Sequence, residues 1–247
     1  MSGHSKWANI KNKKAKTDAA KGKIFTKIGR EIAVAAKAGA DPSTNSKLAD
    51  VIAKAKAANM PNDNIKRSIQ KATGELGNVN YENLVYEGYG VGGSAVIVST
   101  LTENKNRTVG EVRHIFDRYG GSMGNTGSVS FMFENRGVLV IERTVSLSED
   151  EALELALDAG ADDVITSDDV YEIRTSPAAF SGVRKYFEDK GYTFIEASIE
   201  MVPNDKITLN PDQIVTFQKM LDAFEDNDDV QDIYHNVELP EDDEDDE

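Results

Sequence analysis

From Thr17 onward, apolar side chains recur every three or four positions. Ile24, Phe25, Ile28, Ile32 and Ala35 or Ala36 share one face, and Gly39 supplies a stop. Asp41-Pro42 with Ser43 to Asn45 reads as a turn rich in capping residues. A second helix follows, with Leu48, Val51, Ile52, Ala55 and Ala58 on its apolar side. Pro61 interrupts, Asn62 can cap, and Ile65, Ile69 and Ala72 mark a third short helix ending at Gly74. Three short helices rich in Ala and Lys predict one small bundle, preceded by a weakly ordered arm over residues 1–16.

Near residue 76 the apolar period shifts from 3.6 towards 2. Leu84 to Tyr89 and Ala95 to Leu101 read as strands, Thr108 to Tyr119 as a helix, and Ser128 to Glu134 as a third strand. From Gly137 the order becomes strand (138–142), helix (149–158), strand (163–166), strand (170–175), helix (178–189) and strand (194–201). Ser148-Glu-Asp-Glu151 is a capping box opening the first of these helices, and Ser176-Pro177 opens the second. This βαββαβ order is that of a ferredoxin-like fold. Asn210-Pro211 then starts a helix to about Phe224, and Val230 to Val237 supplies a last strand.

One helix and one strand cannot make a domain alone. The segment 76–135 lacks a cover for one sheet face, so the two pieces are expected to join. The predicted fold class is therefore α+β with three domains: an N-terminal three-helix bundle plus two α+β domains, one ferredoxin-like and inserted into the other. The expected limits are 1–75 for the basic arm and helical domain, 76–135 plus 203–237 for the discontinuous domain, and 136–202 for the inserted one. Residues 238–247 hold eight acids in ten positions and read as a solvated acidic tail.

Charge changes the picture more than composition does. The formal net charge is −15, yet residues 1–75 carry 16 Lys and Arg against 6 Asp and Glu. Residues 1–30 hold nine cations and one acid (Asp18), whereas residues 225–247 hold thirteen acids and no Lys or Arg. Such a split points one end at a polyanion. With 39% apolar residues the chain can bury a core, and with no cysteine it has neither disulfides nor thiolate metal sites. No apolar run approaches the roughly 18 residues that span a bilayer, and the N-terminus has no secretory h-region, so a cytoplasmic location is expected.

Gly88-Tyr-Gly90-Val-Gly-Gly93 matches a dinucleotide-binding pattern letter for letter, but it joins two predicted strands and reads as a hairpin loop. The three histidines (His4, His114, His235) lie far apart, and no hydrolase, zinc or phosphate-loop motif is present. The expectation is a non-enzymatic protein with no cofactor, metal or catalytic residue. The stronger signal is cationic: Lys6, Lys11, Lys13, Lys14 and Lys16 around Trp7, then Lys21, Lys23, Lys27 and Arg30. Phosphates supply long-range attraction to such a segment and an indole offers a stacking face. Lys105 and Arg107, between a strand and a helix start, form a second candidate phosphate site, with the turn 120–124 as a further source of backbone donors. The second and third helices show few of the Arg, Asn or Gln that read base edges, so no recognition helix stands out.

Several stretches resemble the YebC/PmpR family. They are Gly3-His-Ser-Lys-Trp-Ala-Asn-Ile-Lys11 with Lys14, Gly22-Lys-Ile-Phe-Thr-Lys27, Tyr86-Glu-Gly-Tyr-Gly90, Asn106-Arg-Thr with Glu111-Val-Arg-His114, Gly127-Ser-Val129, Ala159-Gly-Ala-Asp-Asp-Val164, and Asp228-Asp-Val-Gln231 with Tyr234-His-Asn-Val-Glu238. They run from end to end. The resemblance implies a three-domain α+β arrangement with a helical N-terminal domain, no cofactor, and a DNA-binding transcriptional regulator. Mitochondrial relatives are translational activators, so a ribosome-associated factor bound to ribosomal RNA is the alternative, and an enzyme of unknown class the third reading. The departure is Val91, where the glycine loop of the family usually carries proline.

Overall fold

A computed structural model describes residues 18–74, 80–144 and 147–240, with side chains from Gly22 onward. The chain divides into two compact units. One runs up to Val129 and takes in Asn210–Ile233; the other comprises Ser130–Leu209 with Tyr234 onward.

The first unit begins with three helices, α1 (Asp18–Ala36), α2 (Ser46–Ala57) and α3 (Asn62–Thr73). Asn45 caps α2 by accepting from the Leu48 amide, and Gly74 ends α3 in the left-handed conformation. Ile28, Ile32, Leu48, Ala55, Met60 and Ile65 bury together as the bundle core. All of these but Met60 are positions the 3.6 period selects, whereas Ile24, expected on the same face, is exposed. Gly29 lets α1 approach α3 closely, since a Cβ there would sit 3.0 Å from Ser68 Oγ.

Strands β1 (Glu82–Tyr89) and β2 (Ala95–Thr102) form an antiparallel hairpin in register from Glu82 opposite Thr102 to Tyr89 opposite Ala95. The short strand β3 (Ser122–Met123) and strand β8 (Val230–His235) complete a sheet of order β3-β1-β2-β8, to which this unit adds helices α4 (Lys105–Arg118) and α7 (Pro211–Asp226). Phe116 of α4 and Phe224 of α7 are fully buried and meet edge to face, centroids 5.1 Å apart. Each ring removed from water is worth about 2–3 kcal/mol.

The second unit carries β4 (Phe133–Glu142), α5 (Glu149–Ala159), β5 (Asp163–Thr166), β6 (Val170–Thr175), α6 (Phe180–Asp189) and β7 (Glu196–Pro203). Its all-antiparallel sheet has the order β5-β6-β4-β7, the ferredoxin-like arrangement that the βαββαβ pattern predicts. Leu139, Ile141, Tyr171, Ile173, Val183 and Phe187 form its main core, while Val138, Val140 and Val170 point to the other face.

One strand differs from the expectation. The predicted strand Ser128 to Glu134 does not join the first sheet. Ser130–Met132 form a 3-10 turn, and Phe133 begins β4, which pairs with β6 and β7. The place of a third strand beside β1 is taken by Ser122–Met123. The polar run Glu134-Asn-Arg-Gly137 looks like a turn in sequence, yet it is regular strand. Gly137 is required there because a Cβ would run into Thr175 Oγ1 and Phe180.

Candidate nucleic-acid interface

The cationic residues singled out above fall into three groups. Lys6, Trp7, Lys11, Lys13, Lys14 and Lys16 lie outside the described residues, as does the side chain of Lys21 in α1. The cations farther along α1 form the second group. Lys23 Nζ lies 2.7 Å from the Asp226 carboxylate, Lys27 Nζ donates to the Glu225 carbonyl at 3.1 Å, and Arg30 Nη1 reaches Asp229 at 2.6 Å. Spacings of four and three put all three on one helical face, and that face meets the end of α7 and the start of β8.

The third group is Lys105 and Arg107. Lys105 is exposed in the first turn of α4. Arg107 instead turns to Asp229, with Nη2 3.0 and 2.8 Å from its two carboxylate oxygens. The amide of Arg107 is already taken by the Asn104 cap at 3.1 Å. The turn Gly120 to Gly124 follows the C-terminal end of α4, roughly 20 Å from its start at 1.5 Å per residue. It therefore brings no donors to Lys105.

Asp229 is the centre of this arrangement and is 2% exposed. It accepts from Arg30 and Arg107, from Thr108 Oγ1 at 2.7 Å and from Thr102 Oγ1 at 3.1 Å. Burial alone would raise its carboxyl, but hydrogen bonds from Arg107, Thr108 and Arg30, with the Arg30 charge, outweigh this and bring it down to about 2. Arg30 also donates to the Leu101 carbonyl at 2.9 Å and lies over the Tyr81 ring. The hub ties α1 to β2, α4 and β8. Nothing in sequence periodicity marks Asp229 among its acidic neighbours. Its one local signal is the Asp228-Asp-Val-Gln231 stretch, where it immediately precedes a strand.

The glycine loop is a hairpin. A single 3-10 turn, Val91–Gly93, links antiparallel β1 and β2, so no helix N-terminus stands ready for a pyrophosphate. The glycines serve close approach instead: a Cβ on Gly88 would lie 2.6 Å from the Ser122 carbonyl. The buried Glu87 carboxylate accepts from the Gly127 and Val129 amides at 2.8 and 2.9 Å, holding the neighbouring loop. Among the described residues, no three His, Asp or Glu side chains gather to hold a metal ion, and no helix is long and apolar enough to cross a membrane.

The description "TACO1/YebC protein N-terminal domain" matches residues 5–75, and "TACO1/YebC second and third domain" matches residues 81–237. The chain belongs to the TACO1/YebC family. A probable transcriptional regulatory protein of Acetivibrio thermocellus is 59% identical over 96% of this chain and 98% of that one. Another from Thermoanaerobacter pseudethanolicus is 55% identical over 97% and 98%. The crystal structure of a conserved hypothetical protein from Aquifex aeolicus shares the fold with a TM-score of 0.82 and 41% identity, covering 92% of this chain and 94% of that one. The family expectation and the α+β fold class thus both hold.

Proposed function

We propose that this protein is a non-enzymatic, cytoplasmic, nucleic-acid-binding regulator of gene expression, acting as a DNA-binding transcriptional regulator. The observation that carries the reading is the charge partition: 16 cations against 6 acids over residues 1–75, in a chain whose net charge is −15. Relatives more than half identical over nearly the full length are named probable transcriptional regulatory proteins, which supports the same reading.

In this proposal Lys6, Lys11, Lys13, Lys14, Lys16 and Lys21 meet phosphates while Trp7 offers a stacking face. Lys23, Lys27 and Arg30 belong to the same strip, and so do Lys105 and Arg107. Because Arg30 and Arg107 already hold Asp229, their part is to fix the strip in place as well as to add charge. The domain limits at 75, 135 and 202 belong to the proposal too.

The test is deletion of residues 2–16 followed by binding to duplex DNA over a range of salt. If about five lysines each neutralise one phosphate, log K for the full chain falls against log salt with a slope of about −4 to −5. The deletion is expected to abolish binding and keep the circular dichroism spectrum. Unchanged binding by the folded deletion, or a slope near zero, would overturn the reading. Co-sedimentation of the cellular protein with ribosomes would move it to the translation alternative.

A further inference from the structure

The cations of α1 and those of α3 are in different situations. Lys23, Lys27 and Arg30 are engaged by residues 225–229, and Lys37 of the following turn donates to Asn80. Among the described residues, Lys66, Arg67 and Lys71 of α3 have no acidic or hydrogen-bonding partner, and all three are exposed. Gln70 is exposed beside them. The spacing 66, 67, 70, 71 places these four side chains on one arc of the helix. The opposite arc, Ile65, Ser68, Ile69 and Ala72, is turned to the bundle, with Ser68 against Gly29 of α1. The acid of α3, Asp63, stands in its first turn, where the helix dipole favours it.

The connection to α2 adds an independent observation. α2 ends at Ala57 and α3 starts at Asn62, leaving the four-residue turn Ala58-Asn-Met-Pro61. Asn59 in that turn has φ +59°, the left-handed region that a tight helix-to-helix reversal needs and that Asn tolerates. Met60 is 7% exposed and anchors the turn in the core, and Pro61 is the N-cap residue of α3, its ring fixing φ at −59°. Two helices joined by a four-residue turn and both packed on α1, with the second presenting Arg and Gln outward, share their order of elements with a helix-turn-helix.

We infer that α2, the turn 58–61 and α3 form a helix-turn-helix whose α3 face, Lys66, Arg67, Gln70 and Lys71, enters the major groove of duplex DNA. The lysines meet flanking phosphates. Arg67 and Gln70 are the side-chain types that pair bidentately with guanine and adenine edges. The B-form major groove, about 12 Å wide, admits a helix, whereas that of A-form RNA is too narrow for side-chain reading. The sequence conceals this helix because its cations read as an ordinary solvated face until the pairing of α1 is known. The inference rests on the proposed nucleic-acid function and names the surface and the base-reading residues for it.

The test uses the full-length protein and two double variants, K66A/K71A and R67K/Q70A. The probes are a random-sequence 30-base-pair DNA pool and the RNA duplex pool of the same length. All four side chains are exposed, so both variants are expected to keep the wild-type circular dichroism spectrum. K66A/K71A should make the DNA salt slope shallower by about 2. R67K/Q70A keeps the charge, so its slope should stay at the wild-type value while the DNA motif enriched by wild type in repeated selection is lost. Wild type should prefer the DNA pool to the RNA pool by about tenfold or more. A wild-type slope and motif retained by both variants would overturn the α3 assignment while leaving the nucleic-acid function standing. Equal or tighter binding to duplex RNA would overturn the major-groove placement. Failure of wild type to bind either pool would instead overturn the function on which the inference rests.

Discussion

Asp229 in the first unit and Glu172 in the second are both buried carboxylates, 2% and 4% exposed, and both hold arginine. Their surroundings move them in opposite directions. Asp229 meets two guanidinium groups and two threonine hydroxyls, and its carboxyl falls to about 2. Among the described residues Glu172 is hydrogen-bonded by one cation, Arg174 Nε at 2.9 Å, with Lys206 acting on it only through its charge, and it shares its surroundings with Glu200. Burial therefore wins and pushes its carboxyl up, with Glu200 adding to the rise and Arg174 and Lys206 opposing it. The number of donors decides the outcome: burial makes a carboxylate a strong anchor only when every lone pair is met.

The largest test of that contrast is Asp229→Asn. The amide keeps the shape but takes the counter-charge from Arg30, whose side chain is 15% exposed, and leaves Arg107 with the more distant Glu111 at 3.9 Å. Breaking a buried pair from one side costs about 3 kcal/mol, read as a lower urea midpoint with unchanged slope. The loss should be felt first where α1 meets β8, as faster amide exchange in α1. A variant within about 0.5 kcal/mol of wild type would mean that the hub is not an anchor.

Acid should separate the two carboxylates next. The folded Asp229 value lies below its ordinary 3.8, so its contribution is complete above that pH and is lost as pH falls towards 2. The shift corresponds to about 2 kcal/mol. Unfolding followed by amide exchange between about pH 5 and pH 2 should show the first unit weakening below about pH 4, with Asp229→Asn flattening that part of the curve. An unchanged acid limb in the variant would assign acid sensitivity to other carboxylates.

The same contrast shows what sequence can and cannot reveal. Elements set by local chemistry were legible: the capping box Ser148/Glu151 and the pair Asn210-Pro211 stand where helices α5 and α7 start. The alternation of Tyr171 and Ile173 with Val170 and Glu172 likewise fixes two sheet faces. The turn composition of Asn135-Arg-Gly137 divides β4 into two pieces in sequence, and only pairing with β6 and β7 overrides it. The candidate interface was legible as charge but not as availability. Arg30 and Asp229 are 199 positions apart, so their pairing has no local signature. Hence α1 looked more available than it is, and α3 less.

The smallest expected effect is the one that most sharpens the comparison. Glu172 is an acid whose folded value is raised, so its charged form costs the fold at neutral pH. Stability should rise as pH falls through that raised value towards the ordinary 4.5. Glu172→Gln removes the charge, keeps an oxygen for Arg174 Nε, and ends the repulsion from Glu200. Replacing a poorly compensated buried charge by a neutral isostere is often neutral or stabilising, so the variant should unfold within about 1 kcal/mol of wild type at pH 7, on the stable side. It should also lack the wild-type gain on mild acidification. Urea unfolding of both proteins at pH 7 and near pH 5 reads the two effects together. A loss at pH 7 as large as that of Asp229→Asn would mean that Arg174 and Lys206 compensate Glu172 fully, and that donor number does not distinguish the two sites.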